Sequence, residues 1–229
     1  MIVPLVLEHE WLAALEDLTV WVPPPTDVLV LAPHPDDETL GAGGLLAAQC
    51  LQGTDVLVVA VTDGESAYGY DLNLGRIRES EQREALGRLG VPPKNIVRLR
   101  LPDSDVASYE TQLVERLLPL VTKDTHIVAP WRGDFHPDHE ACGRAAEYVA
   151  HRAGATLTSY FFWTWHRGTT ESIDKLGLRS FPLDQRHLQS KSDALQCHRS
   201  QLTHDSGEPI LPDNLLAPAR RPFEVFCTS

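Results

Sequence analysis

Residues 27–44 read DVLVLAPHPDDETLGAGG. The first seven, DVLVLAP, are short, apolar and nearly uninterrupted, the pattern of a strand buried on both faces. One histidine, three consecutive acids and three glycines follow directly. Acids packed this closely repel one another, so the fold must set a helix N-terminus, a metal ion or bulk water against them. Pro35 biases His34 toward an extended backbone and makes it the last strand-like residue. Asp36, Asp37 and Glu38 are then expected in a tight turn ahead of a helix over 43–53.

The same alternation continues along the chain. DVLVVAVTDG (55–64) precedes a charged helical stretch over 74–90, and NIVRLRLP (95–102) precedes a helical stretch over 109–121. HIVAPW (126–131) precedes one over 137–154, and ATLTSYFFWTW (155–165) precedes one over 184–202. Strand-then-helix units in succession predict an α/β fold: a Rossmann-like, mainly parallel sheet with helices on both faces, in a single domain. Gly53, Gly90 and Gly154 stand where helices close. The motif-bearing core covers about 27–202. In the tail, 203–229, residues Asp205–Arg221 read as a surface loop and PFEVF (222–226) as a last edge strand.

Ligands of such sheets bind beyond the carboxyl ends of the strands. HPDDE, TDGES (62–66), LPDSD (101–105) and RGDFHPDH (132–139) all fall on that rim. In HPDH, Pro137 suits the first helical position, which puts His136 at the N-cap and His139 one turn on, facing the same side. Taken singly, each cluster has a plain explanation: acids cap helices, and paired histidines occur on surfaces. Brought together, imidazoles and carboxylates make a site for Zn²⁺, and three protein ligands plus a water is the pattern of a catalytic zinc.

Composition narrows the partners. The chain has 229 residues, 42% hydrophobic and 23% charged, and 32 acids against 20 bases give a net charge of -12. That balance disfavours nucleic acid and anionic membrane surfaces and leaves a small neutral substrate open. The N-terminus carries acids by residue 8 without a basic leader, which predicts a cytoplasmic protein with no membrane anchor. Cys50, Cys142, Cys197 and Cys227 form no CxxC pair, so they read as reduced and structural.

APHPDDETLGAGG with the later HPDH resembles the LmbE-like, or PIG-L, family of zinc-dependent N-acetylglucosamine deacetylases. IRESEQREALGRLGV (77–91), LPDSDV and KSDALQCHRSQ (191–201) resemble further stretches of that family, so the likeness runs over about residues 27–202. It implies an enzyme, a hydrolase of a linear amide that removes acetate from an N-acetylglucosamine-containing small molecule or glycoconjugate. It implies His34, Asp37 and His139 as metal ligands, Asp36 as general base and His136 as stabiliser of the tetrahedral intermediate. Arg78 and Asp103 match substrate-contacting positions. The cofactor implied is Zn²⁺, with Fe²⁺ or another divalent metal compatible with the same ligands. A zinc amidase acting on a non-sugar amide and a non-catalytic sugar- or nucleotide-binding module remain as alternatives, and a homo-oligomer is compatible with all of them.

Other residues carry two readings. Gly41, Gly43 and Gly44 echo a phosphate cradle, but Leu46 stands where the third glycine belongs and the acids would repel a phosphate. The glycines are instead expected to let the backbone approach the metal loop. Arg78 lies on a helix with Glu79–Arg83 and Glu84–Arg88 spacing, and Asp103 follows a proline as turn residues do. Arg132 and Asp134 either line the cleft or form a loop salt bridge. The aromatics of SYFFWTW are expected within the sheet, with His166 at the strand end. His198 and Gln201 are expected to pack on the last helix.

Overall fold

The computed structural model describes residues 3–68, 73–203 and 207–228. Among the described residues seven strands form one sheet: β1 (Asp27–Ala32), β2 (Val56–Ala60), β3 (Ile96–Arg98), β4 (Thr125–Pro130), β5 (Thr156–Tyr160), β6 (Leu178–Pro182) and β7 (Phe223–Thr228). Their order is β3-β2-β1-β4-β5-β7-β6. Pairing is parallel from β3 to β5 and antiparallel where β7 joins β5 and β6. The helices are α1 (Glu8–Ala14), α2 (Asp37–Leu51), α3 (Leu74–Arg88), α4 (Glu110–Leu117), α5 (Pro137–Ala153), α6 (Thr164–Arg167), α7 (Gln185–Leu195), α8 (Arg199–Leu202) and α9 (Asp213–Leu216).

Alternation along β1 explains the layers. Leu29 and Leu31 pack with Leu113, Ala145 and Val149 of α4 and α5, whereas Val28 and Val30 pack with Leu45, Leu46 and Leu86 of α2 and α3. Successive side chains of a strand point to opposite faces, so a continuous apolar run needs a helix on each side. This is the expected Rossmann-like α/β architecture. The chain runs outward from β1 to β2 and β3, then returns to β4 on the other flank of β1. A crevice opens at such a switch point, and the loops after β1 and β4 both lead into it.

The C-terminal part departs from the expectation. PFEVF does form a strand, β7, but it lies inside the sheet, and β6 holds the edge. The short LRSFP run of β6, half-exposed and interrupted by Arg179, carries too little apolar signal to read as a strand. The strand expected over 155–165 ends at Tyr160, and the helix expected over 184–202 divides at Gln196–His198. Asp205 and Ser206, the start of the expected tail loop, lie outside the described residues. Among the described residues no helix is long and apolar enough to cross a membrane.

Helix α2 begins at Asp37, so Asp37 and Glu38 are its first turn and not a turn ahead of it, and His34 lies beyond the end of β1. The glycines of α2 serve packing, not the metal loop. A Cβ on Gly41 would collide with the Tyr160 ring, one on Gly44 would collide with Leu183, and one on Gly43 would crowd Lys191. The close approach lets a buried ion pair reach the helix backbone. Lys191 Nζ donates to Leu40 O at 3.0 Å and contacts Glu224 at 2.6 Å. The Glu224 carboxylate accepts from Gly44 N at 2.7 Å and Leu45 N at 2.8 Å. The pair thus ties α7 and β7 to the helix whose first turn carries the acids.

Candidate active site

The acids after β1 point in different directions, and each finds its own partners. Asp36 has φ 141°, a region L residues rarely adopt. Arg78 of α3 holds it there: Nη2 donates to Pro35 O at 3.0 Å and to Asp36 Oδ2 at 3.1 Å, and Nη1 donates to Gly64 O at 3.0 Å. Gly64 is required, since a Cβ at that position would overlap the guanidinium. Burial pushes the Asp36 carboxyl up to about 7 despite Arg78, and Asp37 adds to the rise. Glu38 turns away from the cleft and accepts from Gln82 Nε2 at 2.9 Å; burial pushes it up to about 7.

Asp37 faces the histidines. Its Oδ2 lies 3.1 Å from His34 Nδ1 and 3.2 Å from His139 Nε2. Ligand atoms of His34, Asp37 and His139 all fall within 4.8 Å of one another. Each ring is gripped on its far side by a second carboxylate. His34 Nε2 is 3.1 Å from Asp138 Oδ2 and 3.3 Å from Asp103 Oδ1, and His139 Nδ1 is 2.9 Å from Asp134 Oδ2. Burial opposes charge on His139, but the Asp37 and Asp134 carboxylates outweigh it and raise the ring to about 9. Burial likewise opposes charge on Asp37, and His139 and His34 hold it well below the usual carboxylate range.

The donor set fits a divalent cation. His139 Nε2 is fully buried and has no hydrogen-bond partner, and it faces Asp37 beside His34 Nδ1. Two imidazole nitrogens and a carboxylate are ligands that zinc and other borderline divalent ions accept. Far-side carboxylates on both rings are the usual outer support of such ligands. His34, Asp138 and His136 form an overlapping cluster, but Asp138 is already committed to Ser104 N at 2.9 Å and Val106 N at 3.1 Å.

His136 caps α5 as its position before Pro137 predicts. Its Nδ1 accepts from Asp138 N at 3.3 Å, which leaves Nε2 as the N–H donor. Burial, with the neighbouring His139 and His34 rings, pushes it down to about 4. A ring held that low is a neutral imidazole near pH 7, with its one N–H on Nε2.

A cavity of about 460 Å³ opens over these residues, lined by His34, Asp36, Asp37, Arg78, Asp103 and His136. All of the sequence-predicted site residues border it except His139, which is sealed beneath. Asp103 accepts from Ser66 N at 2.8 Å, and its bond to His34 holds it low against the opposing effect of burial. The far wall is Phe162, Trp163, Arg167 and residues 208–212. Trp163 stacks on His136 at 5.6 Å and 18°, and the Arg167 guanidinium lies 4.0 Å above the indole. Sequence reasoning placed these aromatics in a strand. Asp134, expected to line the cleft or to form a loop salt bridge, is completely buried in the loop after β4 and pairs with His139. Arg132, by contrast, does form a surface pair, with Glu147.

Residues 29–150 match the family model for PIG-L, described as GlcNAc-PI de-N-acetylase. The chain is 29% identical over 188 residues to a probable N-acetyl-alpha-D-glucosaminyl L-malate deacetylase of Bacillus subtilis, covering 76% of this chain and 82% of that protein. It is also 29% identical over 127 residues to the diacetylchitobiose deacetylase of Thermococcus kodakarensis, covering 51% of this chain and 46% of that protein. Among solved structures, the N,N'-diacetylchitobiose deacetylase of Pyrococcus horikoshii superposes with a TM-score of 0.67 at 21% identity, over 98% of this chain and 87% of that one. The zinc-inhibited form of a teicoplanin deacetylase superposes with a TM-score of 0.70 at 19% identity, over 88% of this chain and 97% of that one; these two likenesses concern the fold. The chain belongs to the PIG-L family, whose members named here are N-deacetylases.

Proposed function

We propose that this chain is a metal-dependent N-deacetylase that hydrolyses the acetamide of an N-acetylglucosamine-containing small molecule. The observation that carries the reading is the convergence of His34 Nδ1, the Asp37 carboxylate and the buried His139 Nε2, with Asp36 beside them at the cavity. Family membership and the acetylated sugars named for the relatives supply the substrate class.

His34, Asp37 and His139 would hold the ion, zinc or iron. When bound, such an ion supplies Lewis acidity toward an amide carbonyl and a water. Asp36 lines the cavity and takes the proton of the attacking water, with Arg78 fixing its orientation. His136 offers its Nε2–H to the oxygen that gains charge in the transition state, and neutrality does not prevent that donation. Phe162 and Trp163 border the space the sugar would occupy, and Asp103 lies at the rim as an acceptor for hydroxyl groups.

Acetate release from a panel of N-acetylated amino sugars and non-sugar amides tests this reading. It is measured with metal, after chelation, and in Asp36→Asn. Sugar turnover that needs both the metal and Asp36 is expected. Equal release in all three samples contradicts the proposal, and turnover restricted to non-sugar amides makes the chain an amidase.

A further inference from the structure

We infer that Asp134 is a positioning residue that couples the metal site to the aromatic wall of the cavity, so that filling one stiffens the other. The inference rests on the metal reading of His34, Asp37 and His139.

A carboxylate cut off from water is costly unless its oxygens are satisfied. Asp134 is wholly buried and accepts from two elements at once. Its Oδ1 accepts from Thr164 N at 2.9 Å and Thr164 Oγ1 at 2.6 Å, and Phe162 N lies 3.2 Å from both oxygens. Its Oδ2 accepts from Trp163 N at 3.2 Å and lies 2.9 Å from His139 Nδ1. The same oxygen therefore serves the candidate metal ligand and the backbone of the residue that stacks on His136. With Nδ1 donating to Asp134, the lone pair that a cation would need on His139 falls to Nε2, the nitrogen that faces Asp37. A cation on Nε2 and a carboxylate on Nδ1 polarise the ring in the same direction, so the two contacts reinforce each other. By linkage, whatever tightens the His139–Asp134 bond also holds residues 162–164 more firmly, and the reverse.

A simpler alternative makes Asp134 only a loop cap that holds 162–164 whatever the metal site contains. The two differ in how the loop responds to zinc. Amide hydrogen exchange of Phe162, Trp163 and Thr164 is measured with zinc and with a chelator, in the wild type and in Asp134→Asn. Zinc affinity is measured by chelator competition in the same proteins and in Thr164→Val, which removes one donor to the carboxylate without touching His139. Coupling predicts that zinc slows exchange of these amides in the wild type and does so less in Asp134→Asn. It also predicts zinc affinity lower by about 10- to 100-fold in Asp134→Asn and by about 2- to 30-fold in Thr164→Val. Loop exchange indifferent to zinc in a wild type that binds it overturns the inference. So does wild-type zinc affinity in Asp134→Asn or, should that variant not fold, in Thr164→Val. A wild type that binds no zinc removes the metal reading itself, a separate result that ends this inference with it.

Discussion

The loops after β1 to β4 and the segments that follow β5 meet one cavity with different equipment. After β1 to β4 come His34, Asp36, Asp37, Arg78, Asp103, His136 and His139, in the loops or in the N-terminal parts of the helices that follow them. From the C-terminal side come Phe162, Trp163, Arg167 and residues 208–212, which wall the same space with rings, one guanidinium and a proline-containing segment. The matched family stretch, 29–150, holds every residue of the first group and none of the second. On the proposed function, the difference teaches that reaction chemistry gathers where the strand ends of a switch point must converge, while the substrate boundary falls to the loops that follow. Two buried carboxylates bridge the halves: Asp134 reaches from the loop after β4 to the wall, and Glu224 reaches from β7 to α2.

If that division holds, substitutions on the two sides fail in different ways. The largest effect belongs to Asp36→Asn. Loss of the base lowers kcat by roughly 100- to 10,000-fold, measured as acetate release, with the fold and metal affinity kept. A variant that retains most of its kcat breaks the assignment of chemistry to the loops after β1 to β4. Next is Glu224→Gln, which leaves Lys191 buried without its counter-charge. It lowers unfolding free energy by about 3–5 kcal/mol, seen in chemical denaturation. A smaller change means that β7 does not anchor α2.

Arg167→Ala probes the wall directly. It raises KM by about tenfold, the worth of one hydrogen bond to a charged group, and leaves kcat near its wild-type value. A fall in kcat with KM unchanged moves the wall into the chemistry and blurs the comparison. The smallest effect is away from the cavity. His126, at the start of β4, is buried with its Nδ1 on Thr156 Oγ1, and burial lowers it to about 4. The unfolded chain binds that proton near the ordinary 6.5 and the folded chain does not. Its contribution is therefore fully present above pH 6.5 and is lost as pH falls toward 4. His126→Gln should flatten the fall of Tm across that window, and an unchanged slope assigns it to other buried histidines such as His166 and His198.

Much of β1 to β4 and of the loops that follow them was legible in the sequence. Apolar runs such as DVLVLA and HIVAP mark strands buried on both faces, and Gly154 closes α5 in the left-handed conformation its position predicts. HPDDE and HPDH stand at strand ends, and the topology brings them together. The resemblance assigned Asp36 and Asp37 different roles, and the structure gives them different partners, Arg78 for one and two imidazoles for the other. What the sequence hid was long-range. Nothing local in RGDFH announces that Asp134 is buried beneath 162–164, and an aromatic run such as YFFW reads as strand whether the chain continues or turns at Phe161. Lys191 and Glu224 look like surface charges until α7 and β7 are packed on α2. The glycines of α2 were misread for the same cause, because the Tyr160 ring and Leu183 that need their space come from distant segments.

The most direct test of the account is a titration of metal-stripped protein with zinc, reading bound metal and acetate release from an N-acetylated amino sugar in the same samples, alongside His139→Ala. Activity is expected to rise in step with bound zinc until the site is full, and His139→Ala is expected neither to bind zinc tightly nor to release acetate. Full activity in the stripped protein, or tight zinc binding that survives loss of His139, would contradict it.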